Sequence, residues 1–497
     1  MTVVIAGAGP TGLTLGIELA RRGVACRLLE RAATLFPGSR GKGLQPRTLE
    51  VFDDLGVLDA IRAGGMPFPN FRLYSGRDIV WERPLHEMLG VEAPKVSPGV
   101  PYPAPWLIPQ WRTDQILHDR FAQLGGKVEF DTEVVGLEQH DLGVTISVLH
   151  NGIPERIEAD YLVGTDGGRS AVRKLLGVGF EGETYETEQT LVGDVKADGL
   201  RGTACHLITN AGDVSKRFSL WNLPNSDYYQ FVAGVTERET PDLESLQRLL
   251  EERTGRTDIT LHDLRWISVY RVNVRMVERF RVGRVLLAGD AAHVHSSAGG
   301  QGLNTSVQDA YNLGWKLAAV RGGARDELLD TYEAERMPVA AQVLGLSTEL
   351  HQGQFRPTTG ATPAIHQLDI TYRGGPLAVD DRPSKGLLQA GDRAPDGQLP
   401  DGTRLFDLFR GTHLTVLTFG GEIEGYDLAA GTTVLVRPDG HIGAIGDAAV
   451  RDWLGLIELG LIERGCPGDL LPRLDVRSYR LEVADNRVHR VTAEHQP

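Results

Sequence analysis

The sequence predicts an α/β fold organised around a parallel, doubly wound nucleotide-binding sheet, with β-rich material inserted into it and a further α/β unit behind it. Three stretches predict this. The apolar run Val3–Ala6 passes through Gly7-Ala8-Gly9-Pro10-Thr11-Gly12 straight into the helical pattern LTLGIELARRG. That strand, turn and helix are the context in which GxGxxG marks a Rossmann-like dinucleotide site. YLVGTDGGRSAVR at 161–173 and VLLAGD at 285–290 supply two further apolar strands, each ending in glycine and aspartate.

Each element follows in order. Gly7 permits the tight turn, Gly9 lets the backbone approach a pyrophosphate, and Gly12 lets helix and strand pack closely. Pro10 and Thr11 open the helix, on whose N-terminus phosphates would sit. Val24–Leu29 is a second apolar run ending at Glu30, 18 residues after Gly12, where a carboxylate accepts from ribose hydroxyls; Arg31 beside it would flank an adenine. At this stage NAD and FAD fit equally well.

The stretch GDAAHVHSSAGGQGLN at 289–304 spends nine of its sixteen positions on Gly, Ala or Ser, which favours close backbone approach to a ligand over core packing. From Leu303 the apolar spacing Leu303, Val307, Ala310, Leu313 and Leu317 predicts a helix whose N-terminus points into that loop.

Composition narrows the function. The 497 residues exceed one ordinary core and suggest roughly three domains. The net charge of −14 gives no basic footprint for nucleic acid or anionic membrane. The cysteines Cys26, Cys205 and Cys466 include no CxxC, so a disulfide framework and a cysteine-rich zinc site are not expected. No signal peptide or membrane span is legible, and a cytoplasmic location is expected.

Taken together, GxGxxG with Glu30, DGGRS at 166–170 and GDAAH at 289–293 resemble the three motifs of single-component (class A) flavin-dependent aromatic hydroxylases, the para-hydroxybenzoate hydroxylase-like family. The resemblance covers about the first 345 residues. HVHS at 293–296 is similar to the subgroup acting on polyketides and antibiotics, and GDRAPDGQLPDGTRLFDLF to the thioredoxin-like C-terminal domain some of them carry.

The resemblance implies a Rossmann-like FAD-binding domain (1–70, 105–180 and 276–350) interleaved with a β-sheet substrate domain (71–104 and 181–275). A linker at 351–384 and a thioredoxin-like domain at 385–497 would follow, the latter without redox chemistry for want of paired cysteines. It also implies tightly bound, non-covalent FAD, NAD(P)H as a transient co-substrate, and O₂. Oxygen would reach a phenolic or polycyclic aromatic substrate through a flavin C4a-hydroperoxide, in a monomer or homodimer.

Motif by motif, Asp290 would contact the FAD sugar chain, Asp166 and Gly167 would lie near the pyrophosphate, and Arg40 would neutralise the phosphates. Gln110 or Arg112 would make a flavin-side polar contact. The loop from His295 through Ser297, Gly299 and Gly300 to Gly302 would pass the isoalloxazine, with the N–H groups of Leu303 and Asn304 facing charge on the reduced ring. Ser296-Ser297 replaces the two prolines common in such proteins. His293 and His295 could act as a general base or as a ligand pair, or be hydrogen-bonded packing residues; no metal site is expected. Trp221, Tyr229 and Phe231 form an odd-numbered stripe that could face substrate or core. The same scaffold also admits Baeyer-Villiger oxidation, epoxidation, a flavin oxidase or dehydrogenase, or a non-catalytic nucleotide carrier.

Overall fold

The computed structural model describes residues 2–210, 216–235, 241–296, 298–352, 362–398, 402–420, 426–462, 475–484 and 487–494. The nucleotide-binding sheet has six strands in the order Arg281–Val282, Val285–Leu287, Tyr161–Gly164, Thr2–Ala6, Ala25–Leu29 and Val128–Glu129. All neighbours run parallel except the short first pair. The central strands are buried on both faces, which is why they read as unbroken apolar runs rather than alternating ones.

The helix Pro10–Ala20 packs on this sheet, its interior wrapped by the helices Gln110–Gln123 and Gly302–Arg321. Close packing is set by absent side chains: a Cβ on Gly16 would meet the Phe121 ring at 3.1 Å, and one on Gly314 would meet Glu18 Cβ at 2.4 Å.

An eight-stranded sheet stands beside it, in the order His293–Val294, Thr260–Val277, Phe180–Asp198, Tyr228–Val235, Phe218–Asn222, Cys205–Thr209, Phe71–Ser75 and Asp78–Arg83. One face carries Leu191, Phe218, Leu220, Phe231 and Ala233 and is sealed by Leu246 and Leu250 of the helix Leu243–Thr254. The opposite face turns toward the nucleotide-binding half.

The C-terminal unit is a six-stranded mixed sheet, in the order Val379–Asp380, Ile442–Ile445, Thr433–Val436, Leu414–Phe419, Val476–Ala484 and Arg487–Glu494. Leu414, Val416, Leu435, Ala444 and Trp453 belong to the same buried cluster as Val4, Ile17 and Leu313, so one apolar core runs through both units. The described part of the expected linker is built into this arrangement: Ile365, Gln367, Ile370 and Tyr372 are buried, and Ile370 and Tyr372 pack on Val339 and Val343. Ser297 and Cys466 lie outside the described residues.

Candidate active site

The three glycine motifs converge on one cleft edge. Gly7 adopts φ +107°, and a Cβ there would stand 2.6 Å from the Thr165 carbonyl oxygen and 2.8 Å from Asp166 Cα, so the first motif is pressed against the second. A Cβ on Gly289, at φ +62°, would come within 2.6 Å of Thr11 Oγ1, pressing the third against the first. Gly12 is fixed by the fold itself: a Cβ there would lie 1.9 Å from the Gly7 carbonyl oxygen. Gly9 differs. It caps the first helix in extended conformation, and a Cβ on it would meet nothing within 4 Å. The space above Gly9 is a cradle at a helix N-terminus, with the first N–H groups lacking intrahelical acceptors.

The polar residues around this cradle suit a dinucleotide. Glu30 accepts hydrogen bonds from the Ala8 N–H and the Ala32 N–H, each at 2.9 Å, which ties the glycine turn to the end of the second strand. Arg31 is exposed beside it. Asp166 Oδ2 accepts from the N–H groups of Ala171 at 2.6 Å and Val172 at 3.1 Å, whereas its buried Oδ1 has no donor among the described residues. Gly167 is at φ +79° with open space beside it. Arg40 and Asp290 attract one another across the cleft; both keep accessible surface, yet surrounding protein raises the carboxyl pKa and lowers that of the guanidinium. An open cradle, an orphaned acceptor and a cation facing a carboxylate fit FAD.

The loop after Asp290 is held by side chains from elsewhere. Asn304 Oδ1 accepts from the Gln45 N–H at 2.7 Å, and its Nδ2 donates to the carbonyls of Gly43 at 3.0 Å and Gly300 at 2.7 Å. Gln45 Nε2 donates to the Gly299 carbonyl at 2.9 Å. The Gly41–Gly43 segment and the Gly299–Gly302 loop are thereby pinned together. Gly299 and Gly300 both have positive φ, and a Cβ on Gly302 would lie 3.3 Å from the His295 ring. Leu303 packs against Gly41, whose N–H donates to Gln110 Oε1 at 3.0 Å.

Gln110 therefore joins the site, but Arg112 does not. Arg112 is exposed, its stem against Gly64 and its guanidinium 6.0 Å from the Trp111 ring, because two residues along a helix turn it roughly 200° away. His293 is structural in placement: its Nε2 lies 2.7 Å from Asp309 Oδ2, and Arg336 Nε donates to the other oxygen at 2.7 Å. His295 sits with Nδ1 2.8 Å from the Ser296 carbonyl and a buried Nε2 that has no hydrogen-bond partner among the described residues, and burial pushes its pKa down to about 4.

The aromatic stripe is not one face. Trp221 pairs in register with Gln230, whereas Tyr229 pairs with Asn222 and Phe231 with Leu220. The turn between strands Phe218–Asn222 and Tyr228–Val235 shifts the phase, so equal parity in sequence becomes opposite faces in the sheet. Tyr229 and Phe231 belong to the core side, with Phe231 stacked on Phe218 at 6.0 Å. Trp221 faces the cleft.

Residues missed in the sequence complete that side. Asp194, Gln230, Trp221 and Cys205 form one row across neighbouring strands, with Trp266 opposite Asp194. The next row begins with the small residues Ser268, Val192, Val232 and Ser219 and continues into the bulkier Leu207 and Leu73, which pack in a cluster with Trp221. Succeeding rows lead toward Arg275, which pairs with Val294 at the start of the glycine-rich loop. The readable signal within one strand was the alternation of Gln230, Val232 and Gly234 with the core-side Tyr229, Phe231, Ala233 and Val235.

Comparison with known proteins agrees with this construction. Residues 1–347 match the family described as FAD binding domain. A flavin-dependent monooxygenase of Mycobacteroides abscessus is 63% identical over 464 residues, covering 90% of this chain and 98% of that protein. An anhydrotetracycline monooxygenase of Streptomyces rimosus is 35% identical, covering 91% and 98%. Among solved structures, an anhydrotetracycline hydroxylase from Streptomyces rimosus has a TM-score of 0.72 at 32% identity, covering 92% of this chain and 99% of that one. Aklavinone-11 hydroxylase, solved with FAD and aklavinone, has a TM-score of 0.75 at 27% identity, covering 93% and 99%.

The chain belongs to the FAD-binding domain family of flavoprotein oxidoreductases. It is an FAD-dependent monooxygenase.

Proposed function

We propose that this monooxygenase hydroxylates a polycyclic phenolic substrate, of the polyketide or antibiotic class, at the expense of NAD(P)H and O₂. The observation that carries the reading is the row of Ser219, Val232, Val192 and Ser268, on the sheet face that also carries Gln230 and Trp221, which meet Lys42 in the segment pinned to the glycine-rich loop. A flat multi-ring molecule needs such a wall, since bulky side chains would exclude it. The names of relatives acting on anhydrotetracycline and rifampicin point to the same chemical class.

FAD, when bound, supplies hydride acceptance and oxygen activation. This chain's residues do the rest. Gly9 and the first helix would receive the pyrophosphate, Glu30 the adenosine ribose, and Arg40 the phosphate charge. Asp166 and Asp290 would accept from the sugar chain. The N–H groups at Leu303 and Asn304 would face the negative charge that develops on the ring during reduction, an arrangement typically worth about 3 kcal/mol per donor. Gly299, Gly300 and Gly302 would keep the loop thin enough for the ring to seat. His295, neutral above pH 4–5, would serve as a hydrogen-bond acceptor rather than a titrating base. Only one GxGxxG is legible, so NAD(P)H would dock transiently. We place the thioredoxin-like unit in a structural role.

The test is NAD(P)H consumption by the yellow protein over a panel of polycyclic phenols, with product masses under isotopic O₂. One labelled oxygen on a ring carbon is the expected product. Label in peroxide alone would indicate an oxidase instead.

A further inference from the structure

We propose that Lys42 is a substrate-anchoring residue, its ammonium group binding an ionised phenolic or enolic oxygen of the aromatic substrate. The proposal rests on the hydroxylase reading above and names the group that sets substrate orientation.

Lys42 sits in the segment pinned beside the glycine-rich loop, between Gly41, which packs on Leu303, and Gly43, whose carbonyl Asn304 holds. Its side chain leaves that segment toward the cleft-facing row of the eight-stranded sheet. There Nζ donates to Gln230 Oε1 and lies 4.0 Å from the centre of the Trp221 ring. Gln230 is itself fixed, its Nε2 donating to the Ser39 carbonyl. Both partners are neutral. No carboxylate lies within ion-pairing distance of Lys42 among the described residues.

Two titratable groups face it, Asp194 from one neighbouring strand and the Cys205 thiol from another. Asp194 lies near the Trp266 indole and the Ser39 hydroxyl, neither of its buried oxygens has a hydrogen-bond donor among the described residues, and burial pushes its pKa up to about 6. Cys205 is held neutral by burial, its pKa pushed up to about 12. Burial lowers that of Lys42 to about 8.

A cation deep in protein without a carboxylate in ion-pairing contact is costly; Asp194, facing it at longer range, offsets part of that cost, and an anion on Nζ would offset more. Lys42 and its neighbours Gly41 and Gly43 are half-buried, so the segment that carries the ammonium keeps some contact with solvent. The indole beneath tolerates a cation and offers a flat apolar face to a ring. An ionised ring oxygen on Nζ would fix one end of the substrate, leaving the remaining rings along the wall of Ser219 and Val232. Ionisation of that oxygen also makes the ring electron-rich, which suits it to accept electrophilic oxygen.

The test uses FAD-loaded protein, the variants Lys42→Met and Lys42→Arg, and two probes: pentachlorophenol, ionised at neutral pH, and its uncharged methyl ether. Binding is read at equilibrium by flavin absorbance and tryptophan fluorescence. The wild type should bind the phenolate at least tenfold more tightly than the ether, with affinity falling as pH rises through about 8, where Lys42 loses its proton. Lys42→Met should lose that preference and its pH dependence while binding the ether unchanged; Lys42→Arg should keep the preference and move the fall to higher pH. Equal phenolate affinity in Lys42→Met and wild type, or no preference in yellow, NAD(P)H-oxidising wild type, would overturn the assignment. A colourless protein would instead overturn the flavoprotein reading itself.

Discussion

Gly9 and Gly12 lie three positions apart in one motif and should fail in opposite ways when substituted. A side chain at Gly12 would collide with the Gly7 carbonyl at 1.9 Å, so Gly12→Ala should destabilise the fold with or without flavin. A side chain at Gly9 enters open space, so Gly9→Val should fold with near-normal thermal stability in the apoprotein and retain little FAD. Parallel measurement of apo-protein melting and flavin content separates the two; equal flavin retention by wild type and Gly9→Val would contradict the cradle. His295 allows a second single-residue prediction. Its folded pKa of about 4 lies below the usual 6.5 for histidine, so the unfolded chain takes up the proton first. The neutral ring thus contributes stability in full above pH 6.5, and that contribution fades as pH falls toward 4. His295→Asn should flatten the pH dependence of the melting temperature in that window. It should leave any ionisation near pH 6.5 in the rate profile where it was, and loss of that ionisation would show that His295 titrates there.

At the scale of elements, the helix Gly302–Arg321 and the loop before it form one device. Its first turn is aimed by Asn304 and Gln301: Gln301 Nε2 donates to the Gly299 carbonyl at 2.8 Å and to Ile365 at 3.0 Å. Gly300 is exposed at φ +63°, and the nearest atom to a Cβ there is Gln45 Nε2 at 3.8 Å. Gly300→Leu should therefore cost only the strain of a left-handed backbone, about 1–2 kcal/mol. The leucine would project where the flavin ring is expected. Slower flavin reduction and more peroxide per NAD(P)H are the expected stopped-flow and peroxide-assay results. Unchanged reduction and coupling would remove this loop from the ring's side. The nucleotide-binding elements were legible because buried strand, glycine turn and helix are local patterns. The sheet wall was not, because parity along a chain survives within one strand but not across a hairpin. Gln230 and Trp221 became neighbours through register, and Lys42 met them only through tertiary packing. Arg112 and Gln110 were inseparable in sequence until the helix phase turned one away from Gly41.

Across the whole molecule, an ionic cluster fastens the C-terminal unit to the flavin half. Arg437 donates to Glu335 at 2.6 Å and to Asp439 at 2.5 Å, and Lys316 donates to Glu335 at 2.7 Å, all of them buried. Asn312 and Trp315 add hydrogen bonds to Asp439 at 3.2 Å, so the helix that begins at the glycine-rich loop is gripped at its middle by the distant sheet. Arg437 and Lys316 hold the Glu335 carboxyl down to about 2, below its usual value, against the penalty of burial. The unfolded chain protonates first, so this contribution is present above about pH 4.5 and is lost as pH falls through 2. Arg437→Met leaves buried Glu335 to Lys316 and buried Asp439 to the neutral donors of Asn312 and Trp315, a loss expected to cost about 3–5 kcal/mol. Because the apolar core is continuous between the units, the variant should unfold in one transition at a lower temperature, with flavin release at that same temperature. Calorimetry alongside flavin fluorescence is the measurement. A low-temperature transition that leaves flavin bound, followed by release at the wild-type temperature, would show that the C-terminal unit folds apart from the half that holds the cofactor.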